Sequence, residues 1–268
     1  RIKVRLNEIN IMRLNKSQLK EIDELGYVIL PGCFSNEEVN NLRKAMTTVF
    51  NEKTEANIIE KSSGVVRTAM GLHLRSKIFD DLTRHPNFFE PACQIRGHNL
   101  YIQQTKINVK AAFTGEVWQW HYDFATHFGE DGVPKPLALN LHVFLDDVTE
   151  FNGPLFFIPK SHKYGSAPSK LDTVTTNYPL WVVDQQTVKA LVKENGIISA
   201  RGKAGTVVIF VDNLVHGSAH NMSPLDRAIF SAILNPCDNA QTKFARPEYK
   251  HGRDFKPIKT SSYKSLLI

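Results

Sequence analysis

Residues 137–145 read Leu-Ala-Leu-Asn-Leu-His-Val-Phe-Leu, and this stretch indicates the fold more clearly than any other. Every odd-numbered position in it is apolar, whereas the even-numbered positions include the polar Asn140 and His142. Successive side chains of a β-strand point to opposite faces of the sheet, so this period of two predicts a strand with one dry face. The stretch anchors a β-rich interpretation of the chain after residue 100.

Further strands are predicted on both sides of this one, each bounded by glycine, proline or asparagine. They cover residues 101–109, 155–158, 206–211 and 228–234. One helix is predicted among them, over residues 187–192 and ended by Gly196.

The first hundred residues show helical patterns instead. Ser17 is predicted to cap a helix over residues 19–25, and Ser35 opens a capping box before a second helix. Three shorter elements are predicted there as well: a strand at 27–30 and helices at 78–82 and 88–95.

This order of elements predicts a single domain over residues 1–268 that is mainly β with N-terminal helices. Residues 1–100 form a mostly helical cover in this interpretation, and residues 101–240 form the core, an antiparallel barrel or sandwich. Residues 241–268 are expected to be a basic C-terminal tail.

The charge distribution argues against a nucleic-acid partner. The 268 residues contain 33 Lys and Arg against 27 Asp and Glu, a net charge of +6. The excess lies near the two ends, in residues 1–16 and 243–268, whereas a nucleic-acid binder concentrates basic residues on one folded face. Solvated basic ends are the commoner explanation.

Membrane and disulfide-rich classes are also excluded. The longest apolar stretches, such as 207–211, are far shorter than the roughly 20 residues that cross a bilayer. Three widely spaced cysteines, Cys33, Cys93 and Cys237, cannot form a closed disulfide framework. The cysteines therefore lead us to expect a reducing, cytoplasmic location. We also expect a small-molecule partner, and a monomer or homodimer.

Three residues have the spacing of a metal site. His121 and Asp123 stand two positions apart, which puts both side chains on one side of an extended segment, and His216 follows a later predicted strand. Two imidazoles and one carboxylate leave three positions of an octahedral metal open, as O₂-activating non-haem Fe(II) sites require. The same ligands suit zinc, so the residues alone do not choose the metal.

A candidate anion-binding residue follows the metal motif. Arg227 begins the predicted strand 228–234, and a turn at residues 221–224 between two paired strands would return it to the His216 region. There its guanidinium could grip a carboxylate with two hydrogen bonds.

The predicted strand 101–109 has an unusually polar face. Alternation puts Gln104, Lys106, Asn108 and Lys110 on one side of it. Such a face costs stability on a central strand unless it lines a wet pocket, although a solvent-facing edge strand would show the same pattern.

Taken together, the motifs resemble the phytanoyl-CoA dioxygenase-like family of Fe(II)- and 2-oxoglutarate-dependent oxygenases, from about Leu19 to Glu248. The residues that carry the resemblance are Trp120-His121-x-Asp123, Glu130-Asp131-Gly132, Asn152-Gly153-Pro154-Leu155, Pro159-x-Ser161-His162, Gly205-Thr206, His216-Gly217-Ser218 and Arg227. The resemblance implies a double-stranded β-helix, that is, a jelly-roll, cupin-like core. Within the family the sequence looks closest to bacterial trans-4-proline hydroxylases, and ectoine hydroxylase looks more distant.

The resemblance also implies roles for individual residues. His121, Asp123 and His216 would bind Fe(II), and Arg227 would hold the distal carboxylate of 2-oxoglutarate. Three further residues would help with the co-substrate: Ser218, Asn108 and Lys110. Four would contact the substrate: Gln104, Arg67, His127 and Trp120. O₂ is the second co-substrate, and ascorbate is expected to act as an activator.

The predicted reaction is hydroxylation of a free small amino or imino acid, most simply trans-4-hydroxylation of L-proline. Asp123 favours hydroxylation, because halogenating relatives lack this carboxylate. The chain departs from both the proline and the ectoine enzymes at His127, where they carry Trp, and from the ectoine enzyme at Ile229, where it carries Asn. Ectoine is therefore disfavoured. The alternatives are another substrate (a different amino acid, pipecolate or a natural-product intermediate), a non-enzymatic jelly-roll binding protein, and a zinc hydrolase.

Overall fold

The computed structural model describes residues 12–61, 63–176 and 178–267. The basic N-terminal segment 1–16 lies partly outside this range, because Arg1, Lys3 and Arg5 are not among the described residues. None of the described helices is both long enough and apolar enough to cross a membrane.

Seven α-helices and two short 3₁₀ helices are described. The α-helices are α1 (Lys16–Leu25), α2 (Asn36–Phe50), α3 (Leu72–Arg75), α4 (Lys77–Thr83), α5 (Pro86–Arg96), α6 (Asp123–Gly129) and α7 (Gln185–Asn195). The 3₁₀ helices cover Ser161–Tyr164 and Cys237–Asn239.

The described strands form two antiparallel sheets. The major sheet has the order β1-β11-β6-β13-β4-β3-β2, and the minor sheet has the order β10-β7-β12-β5-β9-β8. The major-sheet strands are β1 (Tyr27–Leu30), β2 (Asn57–Ile59), β3 (Val66–Met70), β4 (Leu100–Lys110), β6 (Leu139–Phe144), β11 (Val207–Val211) and β13 (Arg227–Pro236). The minor-sheet strands are β5 (Trp118–His121), β7 (Leu155–Phe157), β8 (Ser169–Asp172), β9 (Leu180–Val183), β10 (Ile198–Ala200) and β12 (His216–Ser218). The predicted fold class, mainly β with N-terminal helices, is confirmed.

The N-terminal helices cover the outer face of the major sheet. Phe230 of β13 stacks on Phe79 of α4 with ring centroids 5.5 Å apart, and Phe88 of α5 lies 6.1 Å from it. Phe230 is paired in register with Val143 of β6, so the apolar face predicted for β6 is the one under the helices. The other face of β6 is buried too, because it looks inward between the two sheets.

Two sequence predictions need correction. The cap of α1 is Asn15, which forms a capping box with Gln18, while Ser17 lies inside the helix. The strands on either side of residues 221–224 do not pair with each other, because β12 belongs to the minor sheet and β13 to the major sheet. The capping box at Ser35 is confirmed, with Glu38 as its partner.

The segment from residue 241 to 267 is packed rather than a solvated tail. His251, Ile258 and Leu266 are buried. The backbone N–H groups of Gly252 and Ile258 donate to the carbonyls of Gln103 and Leu100. Many of its basic side chains remain exposed, as expected, but its backbone lies along the inner strand β4.

Gly205 lies in the turn before β11 and offers a test of the contact between this turn and Phe34, which follows β1. Its φ is +86°, and an added Cβ would overlap the carbonyl oxygen of Phe34. Gly205→Ala is expected to lower the free energy of unfolding by about 3 kcal/mol or more, measured by urea denaturation.

Gly32→Ala is the matched control for this prediction. Gly32 has a similar φ of +68° but nothing within 4 Å of an added Cβ, so only backbone strain of about 1 kcal/mol is expected. Equal losses for the two variants would show that the contact with Phe34 is unimportant.

Candidate active site

His121, Asp123 and His216 converge at one end of β5 and β12, the two central strands of the minor sheet. The two histidines are cross-strand neighbours at the end of β5 and the start of β12, with ring centroids 4.1 Å apart. Asp123 begins α6 directly after β5; its carboxylate oxygens lie 3.9 Å from Nε2 of His121 and 3.8 Å from Nε2 of His216. One donor atom from each residue lies within 4.8 Å of the others, so a single ion can contact all three.

The backbone orients both imidazoles for metal binding. Nδ1 of His121 lies 2.6 Å from the carbonyl oxygen of Gln119, and Nδ1 of His216 lies 2.9 Å from that of Leu214. Since a carbonyl only accepts, each Nδ1 carries the proton, and each Nε2 presents its lone pair to the shared point.

Electrostatics keep the three side chains in their metal-binding protonation states. Burial lowers the pKa of His121 to about 3, and burial also lowers the pKa of His216. Burial would raise the pKa of Asp123, but His216, Lys106 and His121 outweigh it and hold that pKa below its usual value. Two neutral imidazoles and one carboxylate fit a divalent ion with open positions, such as Fe(II).

The three residues open into a cleft between the two sheets, with a volume of about 680 Å³ that includes space open to solvent. Its floor is the inward face of the major sheet. Register places Lys106, Ser231 and His142 in one row across β4, β13 and β6. The charge of Lys106 acts on all three metal-binding residues, so they face this row.

This arrangement divides the cleft into two ends. Arg227 lies four residues before Ser231 on β13, about 13 Å along the strand. Asn108 of β4 is opposite Ile229, between Arg227 and the row. Arg227 and Asn108 line this side of the cleft, which we call the arginine end. Gln104 and Asn140 lie on the other side of the row, where Ile233 pairs with both; we call this the amide end.

Arg227 is a buried cation without an anionic partner. Its Nε and Nη2 donate to the carbonyl oxygen of Gly153, and in the described part of the chain no carboxylate lies within ion-pair distance of it. Burial and the nearby charge of Arg67 lower its pKa to about 9. A guanidinium in this state provides a binding site for a carboxylate.

The predicted site residues fall into two groups. Those that line the cleft are the three metal-binding residues with Arg227, Asn108, Gln104 and His127. Those that do not line it are Arg67, Lys110, Ser218 and Trp120.

The second group is engaged elsewhere. Arg67 is buried between Glu116, at 3.0 Å, and Glu60, at 3.8 Å, and its guanidinium lies over the Trp118 ring. Lys110 donates to the backbone carbonyls of Glu116 and Ala219. Ser218 and Trp120 line a separate groove beside α7.

Several cleft residues were missed by sequence reasoning as site candidates. They are Trp118, Thr126, Lys106, Asn140, His142, Leu155, Tyr178, Leu180, Ile229 and Arg246. For Lys106, Asn140 and His142 the signal was present, because alternation had already put them on the polar faces of their strands. Arg246 left no such signal, because it reaches the cleft from the C-terminal segment through a bidentate ion pair with Asp131.

Known proteins share this architecture. The family model "Phytanoyl-CoA dioxygenase (PhyH)" matches residues 22–229. The ectoine dioxygenase of Nocardia farcinica is 32% identical over 91% of this chain and 87% of its own length. The L-proline trans-4-hydroxylase of Streptomyces griseoviridis is 31% identical over 87% of this chain and 91% of its own. These identities do not separate the proline branch from the ectoine branch.

A solved structure extends the similarity to cofactors. EctD from S. alaskensis with 2-oxoglutarate and 5-hydroxyectoine superposes with a TM-score of 0.81 at 30% identity, covering 92% of this chain and 87% of EctD. The same enzyme has been solved with bound Fe. Together with the His-Asp-His geometry, these relatives show a jelly-roll core that uses Fe(II) and 2-oxoglutarate. The chain belongs to the phytanoyl-CoA dioxygenase family and is a 2-oxoglutarate-dependent dioxygenase.

Proposed function

We propose that this dioxygenase hydroxylates a free small amino or imino acid, and that L-proline, at its trans-4 position, is the first candidate. The observation that carries this proposal is one cleft that contains the metal-binding triad, an unpaired buried arginine on one side of it, and small polar side chains on the other. The arginine end suits the distal carboxylate of 2-oxoglutarate, which leaves the amide end for the substrate.

The amide end and the adjoining Lys106 of the row together offer partners for both charges of a zwitterion. Lys106 lines the cleft and has no ion-pair partner among the residues that the structure describes, so it can attract a carboxylate. The side-chain amide nitrogen of Gln104 donates to the carbonyl of Lys250. No donor to the Gln104 Oε1 is found in the described part of the chain, so this oxygen can accept from an ammonium group.

Bound iron and 2-oxoglutarate supply the O₂ activation and the oxidising power. The protein's part is to hold the substrate in one orientation and to exclude water. Trp118 and Tyr178 pack edge to face, with centroids 5.2 Å apart, and form an aromatic wall of the cleft. Such a wall limits how a small ring can turn, which is what selects one C–H bond.

Ectoine is the second candidate, because several relatives that are 30–34% identical are named ectoine dioxygenases. Ectoine is also a small cyclic zwitterion and would use the same two partners, Lys106 and Gln104. His127 and Ile229, where the chain departs from the ectoine enzymes, argue against it.

The location and assembly state belong to the proposal as well. Cys33, Cys93 and Cys237 are all unpaired, which suits a reducing, cytoplasmic compartment. We retain a monomer or homodimer as the expected assembly.

One assay tests the proposed function. The protein is incubated aerobically with Fe(II), ascorbate and 2-oxoglutarate, and succinate is measured across the common amino acids, pipecolate and ectoine. We expect L-proline or a close analogue to stimulate succinate formation and to gain one oxygen atom by mass spectrometry. Oxidation of a larger metabolite, with no amino acid oxidised, would refute the amino-acid assignment. No oxidation of any compound would support the binding-protein alternative.

A further inference from the structure

His127 holds a fixed position at the amide end of the cleft. It lies on α6, one turn after Asp123, and its Nδ1 is 3.0 Å and 3.2 Å from the two carboxylate oxygens of Asp212. Burial would lower the pKa of His127, but the charge of Asp212 outweighs it and raises that pKa. The carboxylate can only accept, so Nδ1 carries a proton and the ring orientation is set.

The other ring nitrogen of His127, Nε2, has no hydrogen-bond partner among the residues that the structure describes. No hydrogen bond to its Nε2 is found in residues 12–61, 63–176 and 178–267, although the side chain is buried and lines the cleft. The hydrogen-bonding capacity of this nitrogen is therefore available to a molecule in the cleft.

Asn140 has the same unmet requirement. Both its amide nitrogen and its amide oxygen are buried and without a hydrogen-bond partner in the described chain. Asn140 lies at the same end of the cleft as His127, and Asp212 connects the two. Asn140 pairs in register with Phe210, two residues before Asp212, and the Asp212 N–H donates to the carbonyl of Ala138. The Asp212 side chain contacts His127.

A purely apolar substrate surface would leave these groups unsatisfied. Filling the cleft removes water from His127, and a buried donor or acceptor without a partner, such as those of Asn140, is costly. The two charged ends of a zwitterion already have Lys106 and Gln104 as partners. His127 and Asn140 are therefore left for a third polar group.

We propose that His127 is a specificity-determining residue, and that with Asn140 it binds a hydrogen-bonding group that the substrate carries besides its carboxylate and ammonium. A hydroxyl, a carboxamide or a ring oxygen has this chemistry. The inference rests on the proposed function and refines it: within the class of small zwitterions, polar analogues are better substrates than L-proline itself.

Pairs of substrates that differ in one polar group test this inference. The pairs are L-threonine with L-valine, L-asparagine with L-leucine, and morpholine-3-carboxylate with pipecolate. The iron-loaded enzyme is assayed for succinate with each compound, and anaerobic calorimetry measures binding of the same compounds to the enzyme with Fe(II) and 2-oxoglutarate. In at least one pair we expect the polar member to have a kcat/KM at least tenfold higher, mainly through KM, and to bind correspondingly tighter.

Three variants assign the preference to His127. His127→Phe keeps an aromatic ring but removes both nitrogens. The ratio of kcat/KM for the polar member of a pair to kcat/KM for its apolar member should therefore fall to about one or below. His127→Gln can return an amide nitrogen to the position of Nε2, so it should keep part of the preference. His98→Phe makes the same change at an exposed histidine outside the cleft and should leave the ratio unchanged.

Asn140→Leu, a substitution of similar volume, covers the case in which His127→Phe does not fold. It should also reduce the ratio of kcat/KM between the polar and apolar members of a pair. Thermal melting verifies that each variant is folded.

The outcomes separate this inference from the proposed function. If wild type prefers L-proline or the apolar members, or if the ratio is the same in wild type, His127→Phe and Asn140→Leu, the inference is wrong while the amino-acid hydroxylase stands. If no zwitterion stimulates succinate formation, the proposed function fails and this inference fails with it.

Discussion

Replacing Asp123, His121 or His216 by Ala is expected to abolish substrate-dependent succinate formation, with a loss of more than about a hundredfold. Each substitution removes one of three donors that lie within 4.8 Å of one another and leaves the sheets that carry them in place. Iron per protein, measured after reconstitution and desalting, should fall in parallel. Thermal melting should show that each variant is folded.

Two further variants sharpen this prediction. Asp123→Gly should keep some iron in the presence of 2-oxoglutarate, because both histidines remain, but not activity. Asp254→Ala removes an exposed carboxylate of the C-terminal segment and should leave both readouts unchanged. Full activity with unchanged iron content in any of the three alanine variants would refute the metal assignment.

Replacing Arg227 by Gln is expected to raise the KM for 2-oxoglutarate at least tenfold while iron binding barely changes. Loss of a buried, charge-assisted carboxylate pair costs about 2–5 kcal/mol. Arg227→Lys should also weaken binding, because an ammonium cannot make the two parallel hydrogen bonds of a guanidinium. The measurement is a 2-oxoglutarate titration followed by succinate formation and, without turnover, by calorimetry.

Arg201→Gln is the matched control, since Arg201 is exposed and pairs with Glu150 on the surface. Its titration should overlay that of the wild type. If the Arg227→Gln titration overlays it too, a different cation binds the co-substrate. Lys106 is then the candidate, because Lys110 does not line the cleft and its ammonium group donates to two backbone carbonyls.

The parts of the candidate site that could be predicted are those marked by a short-range sequence pattern. His121 and Asp123 are two residues apart, and the even face of β6 carries Asn140 and His142 where a buried strand would otherwise be apolar. Arg227 was singled out by its position shortly after His216, and the resemblance added the distal carboxylate of 2-oxoglutarate as its expected ligand, although the strand pairing expected to position it is wrong.

Ion pairs between residues far apart in the sequence decide whether some arginines reach the cleft, and the sequence did not predict these pairs. Arg67 was expected to contact the substrate, but Glu60 and Glu116 hold it away from the cleft lining. Arg246 was assigned to a solvated tail, yet Asp131, more than one hundred residues earlier, brings it into the cleft. Which acid a given arginine meets depends on the path of the whole chain, and no local pattern encodes that path.

The proposed substrate end of the cleft and the proposed iron and 2-oxoglutarate sites are built from different parts of the chain. Arg246 enters the cleft from this segment, and the carbonyl of Lys250 orients Gln104. The metal-binding residues and Arg227 lie on other elements. Exchanging residues 241–252 for the matching piece of a homologue would therefore reshape the amide end while leaving iron and co-substrate binding untouched. Asp131 and Tyr101, which contact Arg246 and His251, are among the positions that such a chimera must keep compatible.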